Sequence, residues 1–149
     1  MEDPVHVVCP HCAGTNRLPR ARLGDQPACG QCHRPLFTGR PVALDAAGFE
    51  AQIRSSELPV LVDFWAAWCG PCRSMAPQFE RAAAALEPQV RLAKVDTEAS
   101  PELAARLGIR SIPSLVLFQG GREVARRAGA SDARSIVAWV TAARTGAAA

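Results

Sequence analysis

A short apolar segment that leads directly into two closely spaced cysteines constrains this chain more than any other feature. Val60–Trp65 combines β-branched, leucine and aromatic side chains, a composition typical of a buried strand. From Cys72 to Leu86, apolar residues recur at intervals of three and four, which predicts an amphipathic helix. Cys69 and Cys72 therefore lie where the strand gives way to the helix. Because a helix N-terminus carries unpaired N–H groups and a partial positive charge, it favours thiolate over thiol, and a reactive dithiol is predicted there.

The residues around this dithiol resemble the active site of a known family. Trp68-Cys69-Gly70-Pro71-Cys72, preceded by Val62-Asp63-Phe64-Trp65, is similar to the redox motif of the thioredoxins. The resemblance covers about residues 41–149. It implies a thioredoxin fold, which is an α/β architecture with a mixed central sheet flanked by helices. It also implies a protein-disulfide reductase that an NADPH-dependent thioredoxin reductase, a flavoenzyme, recycles.

The other patterns in this region agree with that fold. Strands are predicted at residues 42–44, 60–65, 91–95, 115–118 and 123–127, with a hairpin turn at 119–122. Helices are predicted to follow the N-cap residue Asp45, the dithiol, Ser100 and the N-cap residue Ser131. This βαβαβαββα order predicts a mixed sheet with helices on both faces.

A carboxylate inside the apolar strand is an anomaly. Burying a charged carboxylate such as that of Asp63 is costly. If the side chains of the strand alternated between core and solvent, Asp63 would face water and avoid this cost. Its continuous apolar neighbours nevertheless favour a strand that is covered on both faces. We therefore expect a buried carboxyl with a raised pKa that exchanges a proton with Cys72, which is the role of the matching aspartate in thioredoxins. Lys94, the only lysine, is expected by matched position to reach Asp63 and assist, unless it is an ordinary exposed strand residue.

The resemblance also implies a role for each residue of the site. Cys69 would attack a substrate disulfide, and Cys72 would resolve the mixed disulfide. The Ile112–Pro113 peptide is implied to be cis and close to the Cys69 sulfur, although the sequence alone also allows a trans bond. Substrates are expected to dock on a flat apolar rim, the docking rim, made by Trp68, Gly70, Pro71, Ile112 and Pro113.

The first forty residues carry a second pattern of cysteines. Two Cys-x-x-Cys pairs are separated by sixteen residues, a spacing typical of two-knuckle zinc sites. We expect a structural Zn²⁺ bound by Cys9, Cys12, Cys29 and Cys32. Residues 13–28 contain few large apolar side chains, so the metal would supply the folding energy. The predicted domains are a zinc-binding ribbon at residues 1–40 and a thioredoxin domain at 41–149, an arrangement that resembles the zinc-containing thioredoxins of the thioredoxin 2 type.

Other interpretations of the ribbon stay open on the sequence alone. Cys9-Pro10-His11-Cys12 matches the dipeptide of strongly oxidising thiol oxidases, but no amphipathic helix follows it. Oxidation would allow two disulfides in place of a metal, and His11 or His33 would allow a mixed ligand set. Each histidine sits beside a complete cysteine pair, which favours four sulfur ligands.

Composition and charge limit the partners and the compartment. All six cysteines fall in Cys-x-x-Cys pairs, the N-terminus lacks the apolar stretch of a signal peptide, and we expect a cytoplasmic protein. A net charge of +3 does not argue for nucleic acid or membrane, and no aromatic residue interleaves Arg17, Arg20, Arg22 and Arg34. We expect a monomer without an organic cofactor, whose partners are thioredoxin reductase and disulfide-containing proteins. The alternatives are a redox-sensing interaction module and a disulfide oxidase or isomerase.

Overall fold

A computed structural model describes residues 4–148, and the side chains as far as Arg144. Residues 1–3, part of the N-terminus considered above, and residue 149, the end of the second predicted domain, lie outside the described residues. The elements in chain order are β1 (Pro4–Val8), β2 (Thr15–Pro19), a short 3-10 helix (Arg20–Arg22), β3 (Val42–Ala43), α1 (Ala46–Ser55), β4 (Val60–Trp65), α2 (Gly70–Leu86), β5 (Arg91–Asp96), α3 (Pro101–Arg106), β6 (Ser114–Gln119), β7 (Arg122–Ala128) and α4 (Ala133–Ala148).

The central sheet has five strands in the order β3-β5-β4-β6-β7. Strands β3, β5 and β4 run parallel, whereas β6 and β7 are antiparallel to their neighbours, so the sheet is mixed as predicted. The strand that leads to the dithiol, β4, lies at the centre. Each residue from Val60 to Phe64 is at most 1% exposed, which confirms a strand covered on both faces.

Helices cover both faces of the sheet and divide the core into two clusters. Leu61 on β4 packs with Met75 of α2 and Ile136 of α4 on one face. Val62, its neighbour along the strand, packs with Phe49 of α1 on the other. Successive strand side chains point to opposite faces, so Asp63 shares the face of Leu61, the one that α2 covers. None of the described helices is both long enough and apolar enough to cross a membrane.

The two predicted helix caps had different outcomes. The Asp45 carboxylate accepts a hydrogen bond from the Gly48 N–H at 2.7 Å, which confirms it as the N-cap of α1. The prediction of Ser131 as the cap of the last helix is wrong. The Asp132 carboxylate accepts from the Ser135 N–H at 2.8 Å, and α4 starts at the following residue. Serine and aspartate can both cap a helix, so the sequence pattern located the start of α4 but did not distinguish Ser131 from Asp132 as its cap.

The N-terminal ribbon contains a hairpin that the sequence analysis did not anticipate. Strands β1 and β2 pair antiparallel, with Val5 opposite Leu18. Val5 and Leu36, each at most 1% exposed, form a small core. That core is completed by Leu58, which belongs to the segment leading into β4. The ribbon therefore buries its apolar side chains partly against the region that follows it, rather than by itself.

Candidate active site and metal centre

The dithiol lies at the first turn of α2, where the sequence predicted it. Cys69 is the N-cap residue, and its sulfur accepts a hydrogen bond from the Cys72 N–H at 3.2 Å. The two cysteines form a disulfide, with their Cα atoms 5.2 Å apart. Cys69 is 4% exposed and Cys72 is 3% exposed, so exposure does not distinguish the two cysteines. They differ in position, because Cys69 is the N-cap residue and Cys72 lies in the first turn of the helix. A backbone N–H directed at the Cys69 sulfur stabilises a thiolate there once the bond is reduced.

An apolar surface adjoins the dithiol. Trp68 is 65% exposed, which is unusual for a large apolar side chain. The Ile112–Pro113 peptide bond is cis, as the resemblance implied, and the Ile112 carbonyl oxygen lies 3.7 Å from the Cys69 sulfur. Of the five residues of the docking rim, Pro113 is buried. Trp68 and Ile112 also line a small cavity of about 190 Å³.

Asp63 is the buried carboxyl that the sequence predicted. It is 1% exposed, and its Oδ1 has no hydrogen-bond partner. Burial raises the pKa of Asp63 to about 7, and the positive charge of Lys94 acts in the opposite direction. A carboxyl with such a pKa exchanges protons readily at neutral pH.

Lys94 lies next to Asp63 on the neighbouring strand, but its ammonium group contacts Trp65. The two residues are register partners on β5 and β4. The Lys94 Nζ stands 4.3 Å from the centroid of the Trp65 ring, a cation–π contact. The salt bridges among the described residues do not include one between Lys94 and Asp63, whose Oδ1 is unpaired. The lysine therefore acts on Asp63 through its field rather than through a bond.

Four cysteine sulfurs of the ribbon converge on one point. The sulfurs of Cys9, Cys12, Cys29 and Cys32 all lie within 4.8 Å of one another, and the cross-knuckle pairs Cys9–Cys32 and Cys12–Cys29 are each 3.6 Å apart. A tetrahedral site with Zn–S bonds of about 2.3 Å separates its sulfurs by about 3.8 Å. The donor set and its spacing therefore fit a tetrathiolate metal site.

The backbone around these sulfurs supports the same interpretation. The His11 N–H points to the Cys9 sulfur at 3.3 Å, and the Gln31 N–H points to the Cys29 sulfur at 3.4 Å. Ala13 and His33, one residue after each pair, both adopt positive φ. The two knuckles thus share one turn geometry. Within residues 4–148, neither His11 nor His33 belongs to the metal-ligand cluster.

Comparisons with known proteins agree with both sites. Residues 40–142 match the family model described as thioredoxin. Thioredoxin C-3 of Corynebacterium nephridii is 46% identical over 134 residues, which cover 90% of this chain and 92% of that protein. The chain belongs to the thioredoxin family. It is therefore a thiol–disulfide oxidoreductase, and its family supports disulfide reductase activity.

A second family model matches the N-terminal part of the chain. Residues 8–34 match the family model described as thioredoxin 2, N-terminal, a zinc ribbon, which together with the sulfur cluster indicates a structural metal. The thioredoxin of Alicyclobacillus acidocaldarius is 49% identical over 88 residues, 59% of this chain and 83% of that protein. A bifunctional thioredoxin reductase/thioredoxin of Mycobacterium leprae is 42% identical over 99 residues, 66% of this chain but 22% of that protein.

The sequence analysis missed the polar contacts that join the two parts of this thioredoxin. Arg91, at the start of β5, donates to carbonyl oxygens of the ribbon, and so does Gln52 of α1. Both side chains are 1% exposed. The available signal was a charged residue, Arg91, at the start of a strand predicted to lie in the central sheet.

Proposed function

We propose that this thioredoxin is a cytoplasmic protein-disulfide reductase that works through Cys69 and Cys72 and is recycled by an NADPH-dependent thioredoxin reductase. The observation that carries the proposal is the position of Cys69 at the N-cap of α2, with an N–H directed at its sulfur and the exposed Trp68 beside it. That arrangement stabilises an attacking thiolate and offers an apolar surface to a substrate protein.

The proposed reaction has two exchange steps. The Cys69 thiolate attacks one sulfur of the substrate disulfide, that bond breaks, and the other substrate sulfur leaves as a thiolate that takes up a proton. Cys72 then loses its proton and attacks the Cys69 sulfur. The second substrate sulfur leaves, and the Cys69–Cys72 disulfide forms. Two electrons have passed to the substrate, and the reductase returns them from NADPH.

Asp63 is the proposed acceptor of the Cys72 proton. It lies on the face of the sheet that α2 covers, and its pKa of about 7 matches the pH at which a general base is most effective. Lys94 is proposed to tune that pKa from its neighbouring register position. We expect substrates to dock on the rim formed by Trp68, Gly70, Pro71 and Ile112, with Pro113 beneath it.

The proposed metal is Zn²⁺, held by Cys9, Cys12, Cys29 and Cys32. When bound, the metal links the two knuckles and supplies folding energy to the ribbon. We propose domains at residues 1–40 and 41–149, and a monomer that acts with the reductase and with disulfide-containing proteins. The bifunctional thioredoxin reductase/thioredoxin of Mycobacterium leprae supports that pairing.

Turnover distinguishes this function from its rivals. With NADPH and a thioredoxin reductase, the wild-type chain should reduce many equivalents of a test protein disulfide. Cys69→Ser should abolish turnover, whereas Cys72→Ser should accumulate a mixed disulfide at Cys69 that mass spectrometry detects. Oxidation of a single equivalent, without turnover, would favour a redox-sensing interaction module. If the chain forms disulfides in a reduced test protein faster than it reduces them in the oxidised form of that protein, an oxidase would be favoured.

A further inference from the structure

Arg91 is the largest fully buried side chain among the described residues, and the redox chemistry does not use it. Its Nη1 donates to the Leu36 carbonyl at 2.7 Å, and its Nη2 donates to the Val8 carbonyl at 3.2 Å. Its guanidinium carbon also lies 4.3 Å from the centroid of the Phe37 ring. Every one of these contacts crosses from the thioredoxin domain to the ribbon.

The two carbonyls occupy particular places relative to the cysteine knuckles. Val8 directly precedes the first ligand, Cys9, and Leu36 follows the last ligand, Cys32, by four residues. Gln52 of α1 adds a second bond to the Val8 carbonyl, at 3.0 Å. Two buried side chains from outside the ribbon therefore hold the backbone where it enters the first knuckle and where it leaves the second.

The charge of Arg91 suits this position. Four thiolates around a divalent cation leave a net negative charge, and a buried cation nearby offsets part of its cost. Burial lowers the pKa of Arg91 to about 10, and the negative charge of Glu87 acts in the opposite direction. Glu87 accepts from the Gly39 N–H of the ribbon at 3.2 Å, which is a further contact between the two parts of the chain.

We propose that Arg91 is a positioning residue for the four-cysteine metal site, a part of the thioredoxin domain that brings the two knuckles together. The inference rests on the metal site proposed above. It means that the ribbon depends on the thioredoxin domain to retain its metal. Loss of Arg91 should loosen the metal while the Cys69–Cys72 dithiol stays intact.

The test is the rate at which the zinc-loaded full chain gives up its metal to an excess of a chromogenic chelator. Arg91→Met keeps the aliphatic stem but removes both donors and the charge. We expect release to be faster by roughly 10–100-fold, the range that lost outer-shell contacts cost in metal affinity. Arg91→Lys keeps the charge without the two-pronged donor geometry and should fall between Arg91→Met and the wild type.

A matched control separates positioning from general stability. Ile136→Ala opens a cavity in the core between the sheet, α2 and α4, away from the ribbon, and should lower stability without faster release. Gln52→Leu tests the opposite combination, faster metal release without a loss of stability. It removes the bond to Val8 and also a buried Oε1 that has no partner, so it should speed release with little loss of stability. If Arg91→Met does not fold, Arg91→Lys decides the question, because it alters the same donors but keeps the buried charge, and a wild-type release rate for it would overturn the inference.

Cobalt substitution gives a second readout. The thiolate-to-cobalt absorption bands report the geometry of the four sulfurs, so Arg91→Met should shift or weaken them and Ile136→Ala should not. Equal release rates and equal spectra for Arg91→Met and Ile136→Ala, with no effect of Gln52→Leu, would overturn the inference but leave the metal site standing. A wild-type chain that binds neither zinc nor cobalt would overturn the metal site as well.

Discussion

Replacing Asp63 with asparagine should make the protein more stable, and the gain should depend on pH. Asparagine has nearly the same shape but cannot ionise. In the wild type, burial raises the pKa of Asp63 to about 7 from an ordinary value of 3.8. The folded protein therefore holds a proton between about pH 4 and 7 that the unfolded chain has released. Its stability falls as pH rises through that interval, because folding must either retain that proton or bury a charge.

The size of the effect follows from the two pKa values. Each unit of difference corresponds to about 1.4 kcal/mol, so a shift of about three units amounts to roughly 4 kcal/mol. Asp63→Asn does not lose this stability, because asparagine does not ionise. Relative to the wild type, the variant should gain little near pH 4, gain steadily up to pH 7, and reach a plateau of roughly 4 kcal/mol by pH 8.

Urea unfolding followed by tryptophan fluorescence measures this difference. The oxidised proteins should be compared from pH 4 to 8.5, because the disulfide then removes the dithiol from the titration. Urea is preferable to guanidinium since it adds no ionic strength. Glu123→Gln is a useful control, because the hydrogen bond from Arg126 lowers the pKa of Glu123. Its effect should have the opposite sign, with a loss of stability at neutral pH that fades as pH falls.

A stability difference between Asp63→Asn and the wild type that stays constant from pH 4 to 8.5 would refute this reasoning. It would mean that Asp63 ionises with an ordinary pKa despite its burial. The proposed role of Asp63 as proton acceptor for Cys72 would then lose its physical basis, although the reductase function would not.

Three further predictions concern residues near the site and at α4. Since the positive charge of Lys94 lowers the pKa of Asp63, Lys94→Met should raise that pKa above 7, which NMR titration of the carboxyl carbon measures. Trp68→Ala should raise KM for a protein disulfide by roughly tenfold or more, as loss of an exposed tryptophan anchor does, with little effect on a small disulfide. Asp132→Ala should lower the thermal midpoint, whereas Ser131→Ala should leave it unchanged, because only the Asp132 carboxylate caps α4.

Much of the fold could be predicted from periodicity because strands and helices are encoded over a few neighbouring residues. Short apolar runs located β4 and β5, apolar residues at intervals of three and four located α2, and a polar residue before a helix located the cap of α1. The same method failed by one residue at α4, where Ser131 and Asp132 are both good caps. Local chemistry permits either, and only the path of the backbone selects one.

The candidate sites were predictable where their residues are close in sequence or anomalous in type. Cys69 and Cys72 form a motif by themselves, and the two cysteine pairs of the ribbon share a spacing that suggests a metal. Asp63 stood out because a charge is out of place in an apolar strand. By contrast, the position of the Lys94 Nζ over Trp65 could not be foreseen, since a long flexible side chain has several partners within reach.

By itself, the sequence determined the dithiol, its place at a helix N-terminus, the two cysteine pairs of the ribbon and the order of strands and helices from β3 onward. Only the tertiary structure decided that the ribbon shares its core with Leu58 and that Arg91 bonds the ribbon backbone at Val8 and Leu36. The physical reason is separation along the chain. The hydrogen bonds from Arg91 span 55 and 83 positions, and no local preference encodes a contact over that distance. Such contacts form only when packing of the whole sheet brings β5 against the ribbon.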